Sequence, residues 1–415
     1  MLCSKGRSMA TSTKRKPVIV MNTHVYPRYE GDHVAPFMHE FAKMCLSFAR
    51  VIVHCPHAPG LSMSENLGGV EIRRFRYTTV SKQTLAYRGD MHKQVFSSPF
   101  KALLFLKFLW KWRKATKKLI QQVQPDAIHA HWLIPGGYIS SKAMKRSTIP
   151  LFISMHGTDV ILVQKRKPAQ RIARKIFQKS QNNHFVSVAL QESIESSCQR
   201  SKDSSDLILP MFFDFERFSN IVRKGNTKKI LFVGRLLSVK GVDVLIDAFS
   251  NLKSTQNYDD WTLEIVGDGP LREDLQELTN SRNLSEHVTF HGTLDREELV
   301  GIYGECEIFV LPSRTTKSGE KEGLGVVLLE AMMSKIPVIG TNCGGIPEII
   351  EHLETGLLIE QNDANALSQA IQDLIENDEL RTQLVEKAHS QMREKYSKEA
   401  IELLLRQWYG GVLDD

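Results

Sequence analysis

One local order recurs along this chain and limits what it can become: a short buried strand, a polar or glycine-bearing loop, an amphipathic helix, then another strand. Pro17-Val18-Ile19-Val20-Met21-Asn22 shows no alternation of polar and apolar residues, the mark of a strand covered on both faces. The loop 23–32 leads into an amphipathic helix over roughly 34–48, and Val51-Ile52-Val53-His54-Cys55 forms the next strand. Two strands joined through a helix run parallel, because a parallel pair needs a crossover connection. Segment 70–75 alternates and reads as an edge strand, segments 127–131 and 151–155 are strands that run into polar loops, and 185–188 adds one more strand. Leu207-Ile208-Leu209-Pro210 reads as one more short strand. After the polar break Lys224-Gly225-Asn226-Thr227-Lys228-Lys229 the order restarts at Ile230-Leu231-Phe232-Val233. It continues through strands at 262–266, 288–290, 308–311 and 336–340, with helices between them. Two α/β series of similar size predict two Rossmann-like domains facing each other across a cleft. The expected division is a disordered basic tail over 1–16, a first domain over 17–211 and a linker over 212–228. A second domain over 229–395 follows, then a terminal helix over 396–415 that packs back on the first.

A length of 415 residues with 42% hydrophobic and 24% charged residues suits two cored domains. Six cysteines lie scattered with no C-x-x-C pair, which argues for free thiols and against a disulfide framework or a zinc ribbon. The first 16 residues are polar and basic, unlike a secretory signal, and no run reaches the roughly 18 apolar residues of a membrane span. The expectation is a cytoplasmic protein, either soluble or peripheral at the inner membrane face. Charge is divided unevenly: residues 1–200 carry a net +22 and the remainder −15. Such polarity turns the first half toward something anionic. No nucleic-acid module accompanies it, so nucleic acid is set aside as a partner.

Residues 99–122 form a helix in which Leu103, Leu104, Phe105, Leu106, Phe108, Leu109, Trp110 and Trp112 are interleaved with Lys101, Lys107, Lys111, Arg113, Lys114, Lys117 and Lys118. Two readings stand. Apolar residues with a basic flank lie in a membrane interface, and the same pattern serves a surface helix packing its stripe on a sheet.

In the second half, Glu322-Gly323-Leu324-Gly325 precedes an apolar run that ends at Glu330. Glycine permits positive φ and close approach of a ligand. A helix opening near Gly325 aims unpaired N–H groups and a partial positive charge at an anion. The two carboxylates are then on the order of 10 Å apart, suited to two points on an extended ligand rather than to one shared proton. Gly234-Arg235 with Lys240-Gly241 sets two cations on one strand-to-helix loop, a diphosphate-binding arrangement or a solvated basic turn. Gly267-Asp268-Gly269-Pro270-Leu271-Arg272 fails as a dinucleotide fingerprint because Arg272 takes the third glycine's place. His129 and His131 alternate onto one face, as metal ligation requires, with His156 and Asp159 as further candidates. No complete ligand set emerges and no metal or other cofactor is expected.

Taken together, these motifs resemble glycosyltransferase family 4 in content and order. They are Gly234-Arg235…Lys240-Gly241, Val266-Gly267-Asp268-Gly269-Pro270, Phe290-His291-Gly292, Glu322-Gly323-Leu324-Gly325…Glu330, Gly344-Gly345-Ile346-Pro347-Glu348 and Thr355-Gly356-Leu357-Leu358. Tyr26-Pro27…Gly31, Pro125-Asp126…His131 and His156-Gly157-Thr158-Asp159 extend the likeness into the first half, from about residue 17 onward. The resemblance implies the GT-B fold and transfer of a sugar from a nucleotide sugar, with retention at the anomeric carbon and without metal. Carried over, it implies that Arg235 and Lys240 hold the donor diphosphate and Glu330 the ribose hydroxyls. Glu322 contacts the donor sugar with the backbone at Gly323, Leu324 and Gly325. His156 lies beside that sugar, Gly31 leaves room for the diphosphate, Gly234 belongs to the donor site, and Gly292 and Leu294 flank the base. His156, Arg235, Lys240 and Glu322 are thereby the catalytic set.

The chain departs from the family pattern in three places: Gly31-Asp32 stands for a glycine pair, Ser334-Lys335 for a small-residue–glycine pair, and 314–321 is a charged insert. The acceptor implied is a glycan or a lipid-linked molecule, as in cell-surface polysaccharide or glycolipid synthesis. Two rival readings are a sugar-nucleotide epimerase on the same fold and a non-catalytic sugar-nucleotide-binding protein.

Overall fold

Fourteen strands fall into two sheets in the computed structural model, which describes residues 15–32, 34–87, 91, 95, 98–145, 147–210, 215–255 and 257–410. The first sheet holds β1 (Val18–Asn22), β2 (Arg50–Pro56), β3 (Ser64–Leu67), β4 (Val70–Phe75), β5 (Ala127–His131), β6 (Leu151–Met155), β7 (Asn182–Phe185) and β8 (Leu207–Ile208). Their order is β3-β4-β2-β1-β5-β6-β7-β8, parallel except where β3 pairs with β4. The second sheet holds β9 (Lys229–Val233), β10 (Thr262–Val266), β11 (Val288–Gly292), β12 (Ile308–Leu311), β13 (Val338–Thr341) and β14 (Leu357–Ile359). It is wholly parallel, in the order β11-β10-β9-β12-β13-β14.

Each sheet starts in its middle, winds outward to one side, then returns to build the other. The order therefore reverses between β1 and β5, and again between β9 and β12. At such a reversal the flanking loops diverge and leave a crevice beyond the strand ends. Burial explains why the strands formed there. In β1, Ile19 and Met21 enter one core while Val18 and Val20 enter the other, all 3% exposed or less.

Several sequence expectations change. Segment 70–75 is not the edge: β4 pairs with β2 on one side and with β3 on the other. The short half-exposed β3 carries no apolar run, so periodicity gave no sign of it. The 34–48 helix shortens to Pro36–Cys45, started by a proline in its first turn. Of the basic tail, residues 1–14 lie outside the described residues. Arg15 and Lys16, assigned to that tail, are tied down: Arg15 pairs with Asp126 at 3.1 Å and Lys16 Nζ donates to the Leu46 carbonyl at 3.0 Å. Within the expected linker, Phe215–Ser219 is a short helix and 212–214 lie outside the described residues, as does residue 211 at the end of the first domain.

Helix Asp378–Tyr396 runs into helix Lys398–Tyr409, which returns to the first sheet. Its Trp408 meets Phe152 edge-on with ring centroids 4.9 Å apart, and Asn182 Nδ2 donates to the Trp408 carbonyl at 3.0 Å. The Tyr409 hydroxyl lies 2.5 Å from His129 Nδ1. Helix Pro99–Val123 packs Leu104, Phe108 and Trp112 over Phe75 and Tyr77.

Candidate active site

At the reversal point of the second sheet, three segments converge. Beyond β9, the loop Gly234 to Gly241 ends in a 3-10 turn, Ser238–Lys240, which presents the Lys240 ammonium. Beyond β12, Pro312 is followed by buried Ser313. The third segment is the turn before helix Val326–Met333, which carries Glu322. Lys240 Nζ lies 2.6 Å from Glu322 Oε2, and Ser313 Oγ donates to the same oxygen at 2.8 Å. Their charged side chains are only 17% and 12% exposed, so this ion pair is screened far less than a surface pair.

The glycines around Glu322 do different things. Gly325 caps the helix Val326–Met333 at φ +88°, where a Cβ would also meet Leu311 Cδ2 at 2.8 Å. Gly323 does not take positive φ, contrary to expectation; a Cβ there would point into open space, so only its small size favours a ligand. Gly344, on the following loop, lies directly beneath Glu322: a Cβ there would sit 1.9 Å from the Glu322 carbonyl oxygen. Gly345 N–H donates to that carbonyl at 3.3 Å. The second glycine loop thus shelves the first. Leu324 is buried beside them.

Arg235 is exposed, and its guanidinium has no ion-pair or hydrogen-bond partner among the described residues. It lines a groove of about 550 Å³ with Gly234, Gly267, Gly269, Thr293, Leu294 and Leu299. Gly292 borders it at φ +70°, backed by the Arg272 guanidinium. Two cations and an apolar-backed slot therefore lie at one sheet end. Deeper in, Glu330 accepts a hydrogen bond from the Tyr303 hydroxyl at 2.9 Å. Burial pushes its carboxyl up to about 7, against the lowering effect of Tyr303.

The reversal point of the first sheet is built from uncharged rings. His156, just past β6, lies 3.2 Å from His131 Nδ1 through Nε2, and its ring rests on Trp132 with centroids 4.1 Å apart. Burial pushes the imidazoles of His129, His131 and His156 well below their usual value, and neighbouring imidazoles add to that. His24, beside Trp132, falls to about 4 for the same reason. The Asp159 carboxylate orients this loop, accepting from Leu133 N–H at 2.7 Å and His156 N–H at 3.0 Å. His129, one half of the considered metal pair, has both ring nitrogens engaged by hydroxyls, Tyr409 and Ser154 Oγ, the latter at 2.7 Å. No group of three or more metal-ligating side chains occurs among the described residues. Gly31 takes φ +83° on an open loop, and Asp32 beside it is held by Arg28 at 2.7 Å.

The domains touch beside the cleft. Glu320, on the charged insert, reaches Lys165 of the first domain at 3.3 Å. Glu348 accepts from Val188 and Ala189 N–H at 2.7 and 2.8 Å, against the first turn of helix Val188–Cys198. Sequence reasoning missed Ser313, Tyr303 and the shelf role of Gly344. Ser313 lies just past a recognisable strand, a local signal for a ligand-facing position. Tyr303 lies 27 residues from Glu330 on a separate helix, and nothing local points to it.

Comparison with known proteins follows the same lines. The family described as Glycosyl transferases group 1 matches residues 214–391, and Glycosyl transferase 4-like matches 80–187. An uncharacterised glycosyltransferase of Methanocaldococcus jannaschii is 28% identical over 72% of this chain and 80% of its own length. A GDP-mannose-dependent alpha-(1-6)-phosphatidylinositol monomannoside mannosyltransferase of Mycobacterium tuberculosis is 34% identical over 37% of this chain, which spans 40% of that enzyme. In three dimensions, sucrose-phosphate synthase from Thermosynechococcus elongatus superposes with a TM-score of 0.74 at 19% identity, covering 96% of this chain and 99% of that one. The fold is thereby GT-B, and the chain is a glycosyltransferase whose likeness to the group 1 and 4-like glycosyltransferase families runs through both halves.

Proposed function

We propose that the chain transfers a sugar from a nucleoside diphosphate sugar to a glycan or lipid-linked acceptor, with retention of anomeric configuration and without metal. The observation that carries this reading is the convergence of Lys240, Glu322 and Ser313 beside the exposed Arg235 at the reversal point of the second sheet. A transferring sugar breaks its anomeric C–O bond to phosphate, and the electron pair leaves with the nucleoside diphosphate. Arg235, Lys240 and the N–H groups opening helix Val326–Met333 meet the growing charge with little reorganisation. Lys240 exchanges its pairing with Glu322 for the phosphate, which frees Glu322 for the sugar hydroxyls. Glu330 takes the ribose hydroxyls, while Gly234, Gly292 and Leu294 border the base.

The acceptor hydroxyl attacks from the face the phosphate leaves, and its proton passes to the departing phosphate oxygen. Glu322, already shared between Lys240 and Ser313, is a positioning carboxylate in this scheme, not a nucleophile. His156 adds a neutral ring against the sugar, and Gly31 opens the first-domain side. The relative from M. tuberculosis makes a guanosine diphosphate sugar one donor to test. Residence at a cytoplasmic membrane face follows the basic first half.

The deciding experiment is thermal-shift binding across UDP, GDP and ADP, then product analysis with matching sugar donors, lipid extracts and a chelator. We expect transfer that survives chelation and keeps the anomeric configuration. Near-normal turnover in both Lys240→Ala and Arg235→Ala would sink the diphosphate assignment. Donor epimerisation without acceptor would favour an epimerase, and donor binding without transfer a binding protein.

A further inference from the structure

Helix Pro99–Val123 has two dissimilar faces. Leu104, Phe108, Trp112, Thr116 and Leu119 are buried against the first domain. Trp112 donates its indole N–H to Asn22 Oδ1 at 2.7 Å and stacks on Phe75 with centroids 5.8 Å apart. Packing accounts fully for that face. On a regular helix, Leu103, Leu106 and Trp110 project from the opposite side, with Phe100 at its flank. These four are 65%, 62%, 56% and 65% exposed in that order, so a ridge of large apolar groups stands in water. Folding of the domain gives no reason for them.

The charge on the helix is equally one-sided. It has seven Lys and Arg residues and no Asp or Glu. Lys107, Arg113, Lys114, Lys117 and Lys118 are exposed, and none of the five is paired with a carboxylate among the described residues. The Lys111 and Lys114 ammonium groups sit 5.2 and 5.7 Å from the Trp110 ring, bordering the ridge itself. An apolar ridge bordered by cations alone complements a surface that is apolar within and anionic at its rim.

We propose that this helix seats the protein on an anionic lipid bilayer. Phe100, Leu103, Leu106 and Trp110 enter the boundary between headgroups and acyl chains, and the flanking lysines and Arg113 meet lipid phosphates. A second copy of the chain on the same face would set these cations against cations, so the bilayer is the occupant that satisfies ridge and rim together. The docking stands apart from the transfer reaction. Where the inference deepens the proposed function, it rests on that reading: the acceptor is then amphiphilic and arrives in the plane of the membrane.

The test is flotation of the full chain with phosphatidylcholine vesicles and with vesicles that also contain phosphatidylglycerol. Partitioning should be at least tenfold stronger on the anionic vesicles and should weaken as salt rises. Combined Leu103→Ser, Leu106→Ser and Trp110→Ser should lower it about tenfold or more. Combined Lys107→Glu, Lys111→Glu and Lys114→Glu should abolish the preference for anionic lipid. Both variants should keep the wild-type melting temperature and nucleoside diphosphate binding. Brominated acyl chains should quench wild-type fluorescence and quench Trp110→Phe less. Equal, negligible flotation on both vesicles overturns the proposal. So does an apolar variant that floats like wild type, or a dimer that the serine variant dissolves while vesicles stay unbound. Intact docking with no transfer from any nucleotide sugar would instead defeat the proposed reaction alone.

Discussion

At the reversal point of the first sheet stand stacked imidazoles that burial keeps neutral; at that of the second stand a lysine, a glutamate and an exposed arginine. The strand order about the two points is alike, since β4-β2-β1-β5-β6-β7 and β11-β10-β9-β12-β13-β14 wind in the same sense. Topology therefore fixes where each half of the cleft can hold a ligand, and side chains decide which kind. Desolvated neutral rings suit the uncharged sugar and its acceptor. Charged groups on short glycine-backed loops suit a diphosphate.

This contrast can be broken most sharply on the charged side. Lys240→Ala should lower kcat about 100-fold, as loss of a preorganised charge opposite a leaving group does, and Arg235→Ala about tenfold. Steady-state kinetics with a soluble acceptor and the matching donor would check both. On the neutral side, His156→Ala should cost about tenfold in transfer by loosening the sugar, while nucleoside diphosphate affinity stays within about twofold. A parallel fall in diphosphate affinity, read by calorimetry, would erase the division between the halves.

The buried carboxyl supplies a pH test. Glu330 titrates near 7, so it is protonated over much of the range where ordinary glutamates are ionised. Donor affinity should rise severalfold with pH through about 7 as the carboxylate becomes able to accept from the ribose. Glu330→Gln should flatten that profile. The sign for folding is opposite: with the folded value raised from 4.5 to about 7, this group's contribution to stability is full below 4.5 and is lost as pH rises through 7. Smallest is the expected effect of Tyr409→Phe, which removes a hydroxyl partner from buried His129. It should cost about 1 kcal/mol in denaturant unfolding and leave donor binding unchanged.

How much of this was legible in the residues depends on range. The strand at 18–22, the loop 234–241 and the stretch 322–330 announce themselves, because a doubly covered strand, a glycine turn and a helix start are each set within about ten residues. The edge strand β3 was not legible, since half-exposed polar strands lack periodicity. Tyr303 beneath Glu330 and Gly344 beneath Glu322 were not legible either, because their partners are remote in the chain. Helix 99–123 was ambiguous for a third reason. Its pattern fits both a core stripe and a membrane ridge, and the structure uses one face for the core and leaves the other exposed.

By itself, the sequence determined the alternation of strands and helices, the break between two series, the charge division and the loops with chemistry on them. These follow from local sterics and from which residues tolerate water. Only the tertiary structure decided that Lys240 and Glu322 pair, that imidazoles stack at the reversal point of the first sheet, and which side of helix 99–123 is exposed. Such outcomes depend on the packing of segments distant in the chain, where the environment of each group, not its identity, sets its charge and its partners.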